Sequence, residues 1–212
     1  MGIIRRGILG GFSGKVANIV GSSWKGIAVM KSLPLSVANP RTTAQTEQRT
    51  KFSNTVAFAK AILTTVIKPL WDRFAQQQSG FNAFISRNIE LFENEIPTPA
   101  NELVISQGKM EETIIDDVTA TDGSRDITVD WTDDPTGLQN SSDIPYIVLW
   151  INEEEKAYGF DLTGTATRAS ETATVTIDQE MTTGDNGLAW LAFKREDGTV
   201  VSNTSSRPFS TP

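Results

Sequence analysis

Carboxylates are the reactive side chains that this 212-residue sequence carries in quantity. It contains 26 aspartates and glutamates but neither histidine nor cysteine. Thiolate nucleophiles, disulfides, zinc sites built on cysteine or histidine, and acid–base catalysis by imidazole are therefore excluded. The chemistry left to consider is chiefly proton transfer by a pair of carboxylates, or the binding of calcium by carboxylate oxygens.

The acidic residues are mostly neighbours in sequence, which is a poor arrangement for a shared site. Consecutive side chains on a strand point to opposite faces, so adjacent carboxylates there do not converge on one ion. The acidic loop at residues 178–187 departs from the calcium-loop pattern at Thr182 and Gly184. We therefore expect a solvated acidic surface and predict no enzyme activity, no catalytic residue, no cofactor and no metal site, with calcium in the loops as the alternative. The groups considered are Asp116-Asp117, Asp133-Asp134, Glu153-Glu154-Glu155, and Asp178 with Glu180.

The charges are divided unequally along the chain. Residues 1–100 carry 12 basic and 5 acidic side chains, whereas residues 101–212 carry 7 basic and 21 acidic ones. Such asymmetry indicates contact with nucleic acid or complementary contact between protein surfaces. The basic residues are scattered without a recognisable nucleic-acid-binding module. Docking on an acidic protein surface, such as that of a neighbouring copy, is therefore favoured, and nucleic-acid binding is the alternative.

Residues 1–38 would position many of the basic side chains, and their pattern predicts a basic β-structured arm. Short apolar groups are separated by Gly14, the Gly21-Ser22-Ser23 cluster and Gly26, the punctuation expected of hairpin turns. The segment has few large apolar side chains. The free energy gained by burying them does not offset the loss of backbone entropy on folding, which costs about 1–2 kcal/mol per residue. We expect the arm to lie on the rest of the subunit or to become ordered on a neighbour. The apolar groups are Val16, Ile19 with Val20, and Trp24, Ile27, Val29 with Met30.

Residues 39–93 have the periodicity of helices. Thr42 and Gln45 form a capping-box pattern, which predicts a helix that begins at Thr43. Apolar residues then recur at steps of three and four until Pro69, which suits the first turn of a second helix. The sequence therefore predicts a bundle of three helices with an aromatic-rich core. The positions used are Phe52, Val56, Ala59, Ile62, Leu63, Val66 and Ile67, then Leu70, Trp71 and Phe74, then a cap at Ser79 followed by Phe81, Phe84, Ile85, Ile89 and Phe92.

Beyond a proline-containing linker at residues 94–101, the pattern changes to the alternation of β-strands. Apolar residues alternate in several short runs separated by turn clusters such as Gly184-Asp185-Asn186-Gly187. Seven or eight short strands in residues 102–212 predict an acidic β-sandwich of the immunoglobulin or fibronectin type. The fold class is α+β, with the β-arm and three helices preceding the sandwich. The alternating runs are Ile127-Val129-Trp131, Ile147-Leu149-Ile151, Ala173-Val175-Ile177 and Ala189-Leu191-Phe193.

Several motifs resemble those of a family of uncharacterised Bacteroidota proteins of about this length. The likeness spans most of the chain and is most specific in the glycine-rich amino-terminal part. That family has no assigned activity, so the resemblance implies no catalytic residue. The motifs are Gly2-Ile3-Ile4-Arg5-Arg6-Gly7-Ile8-Leu9-Gly10-Gly11-Phe12-Ser13-Gly14-Lys15-Val16, Val20-Gly21-Ser22-Ser23-Trp24-Lys25-Gly26, Asn39-Pro40-Arg41-Thr42 with Gln45 and Arg49, Phe81-Asn82-Ala83-Phe84, Ala166-Thr167-Arg168 and Val201-Ser202-Asn203.

A second resemblance concerns function. The order Asn-Pro-x-Thr-x-x-Gln-x-x-x-Arg-x-x-Phe, followed by a tryptophan-bearing helix and an aromatic-Asn-Ala segment, is similar to small structural proteins encoded among phage virion genes. It implies a structural role without catalysis, with other subunits as partners. In this chain the matching positions are Asn39, Pro40, Thr42, Gln45, Arg49 and Phe52, then Trp71, then Phe81, Asn82 and Ala83.

These observations together predict a capsid- or tail-associated virion protein that forms homo-oligomers. We expect the amino-terminal half to attach it to neighbouring subunits. The start lacks the apolar core of a signal peptide and no apolar run is long enough to span a bilayer, so we expect assembly in the bacterial cytoplasm, or a cytoplasmic protein as the alternative, without membrane insertion. The predicted interface residues are Arg5, Arg6, Lys15, Trp24, Lys25, Arg41, Gln45, Gln48 and Arg49.

A rival hypothesis is a module that binds carbohydrate or another surface. In that case aromatic side chains at the loops of the sandwich would form a flat platform for the ligand. The residues that would build it are Trp150, Tyr158 and Trp190.

Overall fold

The computed structural model describes residues 3–4, 11–24, 27–36, 41–94 and 96–212, with the backbone alone at residues 3, 4 and 24. Its secondary structure is mixed α and β, and its sheets are mostly antiparallel. The chain divides into two compact units, Met1–Thr42 and Thr43–Pro212.

The first unit contains one antiparallel sheet in the order β1-β2-β3-β4. The expectation that Gly14 and Gly21 mark turns is wrong, because they lie opposite each other within β2 and β3, and the turn is at Ala17-Asn18. Gly21 is required by close packing, since a Cβ there would lie 2.3 Å from the backbone oxygen of Phe12. The strands are β1 (Ile3–Ile4), β2 (Phe12–Val16), β3 (Ile19–Trp24) and β4 (Ile27–Ser32).

The second unit begins with the helices, largely where the sequence predicted them. The first starts at Thr43, Pro69 lies in the first turn of the second, and the Ser79 hydroxyl accepts a hydrogen bond from the Asn82 amide at 3.3 Å. A π-helical turn between the first two was not predicted. The elements are α1 (Thr43–Ala61), the π-turn (Leu63–Ile67), α2 (Lys68–Trp71), α3 (Gly80–Asn88) and two 3-10 turns (Ile89–Leu91, Ala100–Glu102).

Seven strands then form two sheets that share one core. The four-stranded sheet has the order β11-β10-β7-β8, and the three-stranded sheet has the order β5-β6-β9. The alternating residues of all four predicted runs are buried in the core between these sheets. The strands are β5 (Ile115–Ala120), β6 (Asp126–Trp131), β7 (Ile144–Ile151), β8 (Lys156–Asp161), β9 (Thr172–Thr176), β10 (Asn186–Lys194) and β11 (Ser205–Ser210), with a 3-10 turn at Arg168–Ser170.

The helices cover the outer face of the four-stranded sheet. Phe58 of α1 packs against Trp150 of β7 and Trp190 of β10, with ring centroids 5.9 and 6.1 Å apart. The π-turn approaches β8 at Gly159, where a Cβ would lie 2.6 Å from the Thr65 hydroxyl. One core therefore joins helices and sheet. The sequence predicted separate domains for the helices (39–93) and the sandwich (102–212), with a linker at 94–101. The helices, which begin at Thr43, and the sandwich instead belong to one unit, because both faces of this sheet are apolar.

Two buried polar groups tie the second unit together. The Asn88 amide group donates to the carbonyls of Phe84 and Val104 and accepts from the Val104 amide, all at 2.9–3.0 Å. Arg168, which is buried after β8, forms an ion pair with the buried Asp143 at 3.3 Å. Burial lowers the pKa of Arg168, and the Asp143 carboxylate opposes that shift. Both networks satisfy groups that would otherwise be buried without partners.

Candidate protein-interaction surface

In the described part of the first unit, most of the large apolar side chains are exposed. All six residues of β4 are exposed, with 61% of Ile27 and 65% of Met30 accessible to solvent. Exposed apolar area of this kind is unfavourable in water and favours burial against a partner, at about 25 cal/mol for each Å² removed from water. The exposed apolar residues of this unit are Val16, Ile19, Ile27, Val29, Met30, Leu33 and Leu35.

Strand β4 also lies at the edge of its sheet. It pairs with β3 from Ser32 to Ile27, and the strand order places no further described strand beyond it. The outer edge of such a strand presents backbone donors and acceptors that an incoming strand can pair with. The structure therefore offers an apolar, extended surface suited to a protein partner.

The charge of the first unit is entirely basic. Residues 1–42 carry six lysines and arginines and no acidic residue, whereas residues 43–212 carry 13 basic and 26 acidic residues. The exposed side chains of Lys15 on β2 and Lys31 on β4 belong to this basic set. A surface that is both apolar and cationic is complementary to an acidic protein surface.

The predicted interface residues fall in both units. Lys15 lies on β2 opposite Val20, and Trp24 ends β3 opposite Ile27. Arg41 is exposed and directly precedes α1. Arg5, Arg6 and Lys25 lie outside the described residues, and Gln45, Gln48 and Arg49 are exposed on the first turns of α1.

The first turns of α1 contribute nothing to the core of the second unit. Every residue from Thr43 to Thr50 is exposed, and the first buried residue of the helix is Thr55. Phe52, which the sequence analysis placed on the apolar stripe, is therefore exposed as well. Gln45, Gln48 and Arg49 share one face of this segment because they are three and four positions apart.

Most of the acidic residues considered for catalysis or calcium form hydrogen bonds or ion pairs with neighbouring side chains or backbone. Asp116 accepts a hydrogen bond from Thr132, and Asp117 pairs with Arg207 at 3.6 Å. Within the described ranges, no group of three or more carboxylates is arranged to hold a metal ion. No helix of the described chain is long and apolar enough to cross a membrane.

The aromatic platform required by the carbohydrate-binding hypothesis is not exposed. Trp150 and Trp190 are buried between the sheet and the helices, and the Tyr158 ring packs with the core between the two sheets. The prediction that these three side chains form an exposed platform is wrong. Both faces of the four-stranded sheet are covered, so side chains from its central strands are buried in either direction.

The sequence matches one family along most of its length. Residues 11–206 match DUF6266, described as a family of unknown function. The chain belongs to the DUF6266 family. The expectation that its relatives form a family without an assigned activity is thereby confirmed. No curated protein matches the chain.

Two solved structures resemble half of this DUF6266 chain. The crystal structure of chicken CNTN1 FN1-FN3 domains matches with 12% identity and a TM-score of 0.36, over 50% of this chain and 32% of that chain. The crystal structure of beta-1,2-glucanase from Parabacteroides distasonis matches with 12% identity and a TM-score of 0.31, over 50% of this chain and 14% of that chain. Likenesses this distant carry no conclusion about what the DUF6266 chain does.

Sequence reasoning did not identify the apolar part of this surface. The arm as a whole was expected to lie on the rest of the subunit or on a neighbour, but β4 was not identified as the strand whose apolar side chains are exposed. The signal available was the absence of alternation in β4, whose Ile-Ala-Val-Met run places apolar side chains on both faces. A strand with apolar side chains on both faces needs other elements to bury them. In a segment too small to form its own core, such a strand indicates a surface that binds another protein surface.

Proposed function

We propose that this DUF6266 protein is a non-enzymatic structural protein of a phage virion. Its amino-terminal half attaches it to neighbouring subunits, and its acidic sandwich, of the immunoglobulin or fibronectin type, projects outward. The observation that carries the proposal is the first unit, whose apolar side chains on β4 are exposed and whose charges are all basic. Such a unit gains stability by association, since a neighbour can bury the apolar area and neutralise the charge.

The assignment to a virion rests on the order of residues between Asn39 and Phe52 and on the Phe81-Asn82-Ala83 segment, which resemble small virion structural proteins. Assembly of the proposed capsid- or tail-associated component takes place in the bacterial cytoplasm. The partners are other structural subunits, including further copies of this chain. The exposed first turns of α1 support this proposal, because residues 43–50 lie on the surface and outside the core of the second unit.

The test is self-association of the full chain, measured by light scattering across a concentration series. The variant Ile27→Thr/Met30→Thr keeps strand-forming residues but removes apolar area from β4. We expect about tenfold weaker association, which corresponds to a loss of about 1.4 kcal/mol. The matched control is Ile114→Thr, which changes an exposed apolar residue of the second unit and should leave association unchanged.

Particle association is the second arm of the same test. Co-expression with the genes that flank this one, followed by sedimentation, should recover the chain with particles. A full chain that remains monomeric at every concentration and never sediments with particles would overturn the proposal.

A further inference from the structure

A groove runs along one side of α1 in the second unit. Three adjoining cavities of about 530, 410 and 500 Å³ form it. The first two share Asn54 and Glu155, and the last two share Glu93 and Asn94. One wall is α1, and the other comes from the turn between β7 and β8 and from residues that follow the 3-10 turn at Ile89–Leu91.

Carboxylates line this groove, and its lysines are already engaged. The acidic residues are Glu47, Glu93, Glu154 and Glu155. Lys51 forms ion pairs with Glu93 at 3.1 Å and Glu90 at 3.3 Å, and hydrogen bonds to these carboxylates raise the pKa of Lys51. Lys156, which also lines the groove, forms an ion pair with Asp178 at 2.5 Å, and this bond raises the pKa of Lys156.

Two of the groove carboxylates have no cationic partner in the described part of the chain. Neither Glu47 on α1 nor Glu155 in the turn forms an ion pair there. Glu154 accepts a hydrogen bond only from the neutral Tyr158 hydroxyl among the described groups. The groove therefore has unneutralised negative charge, which attracts a cationic ligand and repels an anionic one such as nucleic acid.

The floor of the groove holds a buried hydrogen-bond donor without an acceptor. Trp150 lines the largest of these three cavities beside Phe58 and is only 3% exposed. Its indole Nε1 has no hydrogen-bond partner among the described residues. The indoles of Trp71, Trp131 and Trp190 donate to backbone carbonyls at 2.7, 2.8 and 3.0 Å. Of the four tryptophans with described side chains, Trp150 alone lacks an acceptor, and it is the one in the groove.

We propose that this groove receives the amino-terminal arm of a second copy of the chain, led by its edge strand β4. The inference rests on the proposed function and names the partner surface. Three properties of the arm match the groove: Lys31 supplies a cation for Glu155 and Glu47, Ile27 and Val29 on the same face of β4 supply apolar side chains for the floor, and the edge backbone supplies carbonyl acceptors for the Trp150 indole. The arm has no acidic residue, so no part of it is repelled by the groove.

A charge-reversal exchange in the full chain tests the pairing. We expect Glu47→Lys/Glu155→Lys to weaken self-association about tenfold or more, and Lys31→Glu to weaken it similarly. A chain that carries both sets of changes regains much of the lost affinity, because opposite charges again face each other. The matched control is Glu196→Lys, an exposed acid on the second unit that does not line the groove, and it should leave association unchanged.

Trp150→Phe provides an independent measurement. It removes the indole N–H while keeping an aromatic ring against Phe58, and the unfolding temperature of the free protein shows what the smaller ring costs in packing. Association, measured where the variant is fully folded, should weaken severalfold. Unchanged association in this variant and in the charge reversals would overturn the groove as the receptor.

The outcomes separate this inference from the proposed function. If the β4 variant weakens association but the groove variants do not, the arm binds elsewhere and only the groove inference is wrong. If the full chain does not self-associate, or if neither set of variants changes its association, the groove inference is wrong. The proposed function is wrong as well only if the chain is monomeric and also never sediments with particles.

Discussion

The two units of this protein show how the same residue types behave with and without a second layer. Ile27 and Ile127 both lie on β-strands, yet 61% of Ile27 is exposed and Ile127 is completely buried. In the described part of the first unit the only buried residue is Gly21, which has no side chain. The second unit stacks helices and two sheets, so each apolar face has another to pack against. Apolar content alone does not make a core.

Charge follows the same division. In the second unit a buried arginine is held by a buried carboxylate, whereas Lys15 and Lys31 in the first unit are exposed on their strands. A buried charge needs an oppositely charged group beside it within the same fold, whereas an exposed charge is solvated and can also interact with another protein. The second unit is therefore built for its own stability, and the first has the properties of a contact surface.

The largest effect on stability should come from the buried ion pair. Arg168→Met leaves Asp143 buried without its cation, and we expect a loss of about 3–5 kcal/mol in the free energy of unfolding. Lys15→Met removes an exposed charge from the first unit and should change that free energy by less than about 0.5 kcal/mol. Chemical denaturation followed by circular dichroism measures both. Equal effects in the two variants would contradict the contrast between the units.

The next test makes the same substitution in each unit. Ile127→Ala opens a cavity between the sheets and should lower the free energy of unfolding by about 2–5 kcal/mol. Ile27→Ala removes exposed apolar area and should change it by less than about 0.5 kcal/mol. Denaturation at low protein concentration, where association does not contribute, gives the two values. A large effect at Ile27 would mean that the arm is part of a core.

The smallest effect on overall stability is expected at Gly21. Gly21→Ala places a Cβ against Phe12, which should separate β2 from β3 and speed amide hydrogen exchange in those strands. Unfolding of the second unit should be unchanged. Ser22→Ala, one position along β3, is the control and should leave exchange as it is. Slow exchange in the Gly21 variant would show that the sheet tolerates the side chain.

Much of the local structure could be predicted from the sequence. Helix starts depend on residues within one turn of each other, so they can be recognised locally. This applies to the start of α1 at Thr43, to Pro69 in the first turn of α2 and to the cap at Ser79. The strands of the sandwich could be predicted because every second residue in them is apolar and is buried in the core between the sheets. The turn at Ala17-Asn18 was missed because the glycines of the arm were assigned to turns, whereas Gly21 serves close packing between strands.

The arrangement of layers was not predicted, although β7 carried a signal for it. Its eight residues, Ile144–Ile151, are all buried, as expected for a strand covered on both faces. The alternation of Ile147, Leu149 and Ile151 accounts for one face alone. The residues between them pack against the helices, and this is why Trp150 is buried rather than displayed.

By itself the sequence determined the helices, most strands, the charge division and the absence of thiol and imidazole chemistry. These depend on composition and on neighbours within a few positions. Only the tertiary structure decided which apolar faces are covered and that the helices share a core with the sandwich. It also placed an acidic groove beside α1, with a Trp150 indole that has no acceptor among the described residues. Those features depend on contacts between residues about 100 positions apart, such as Phe58 and Trp150. A local sequence pattern does not specify which helix face will pack against which strand face.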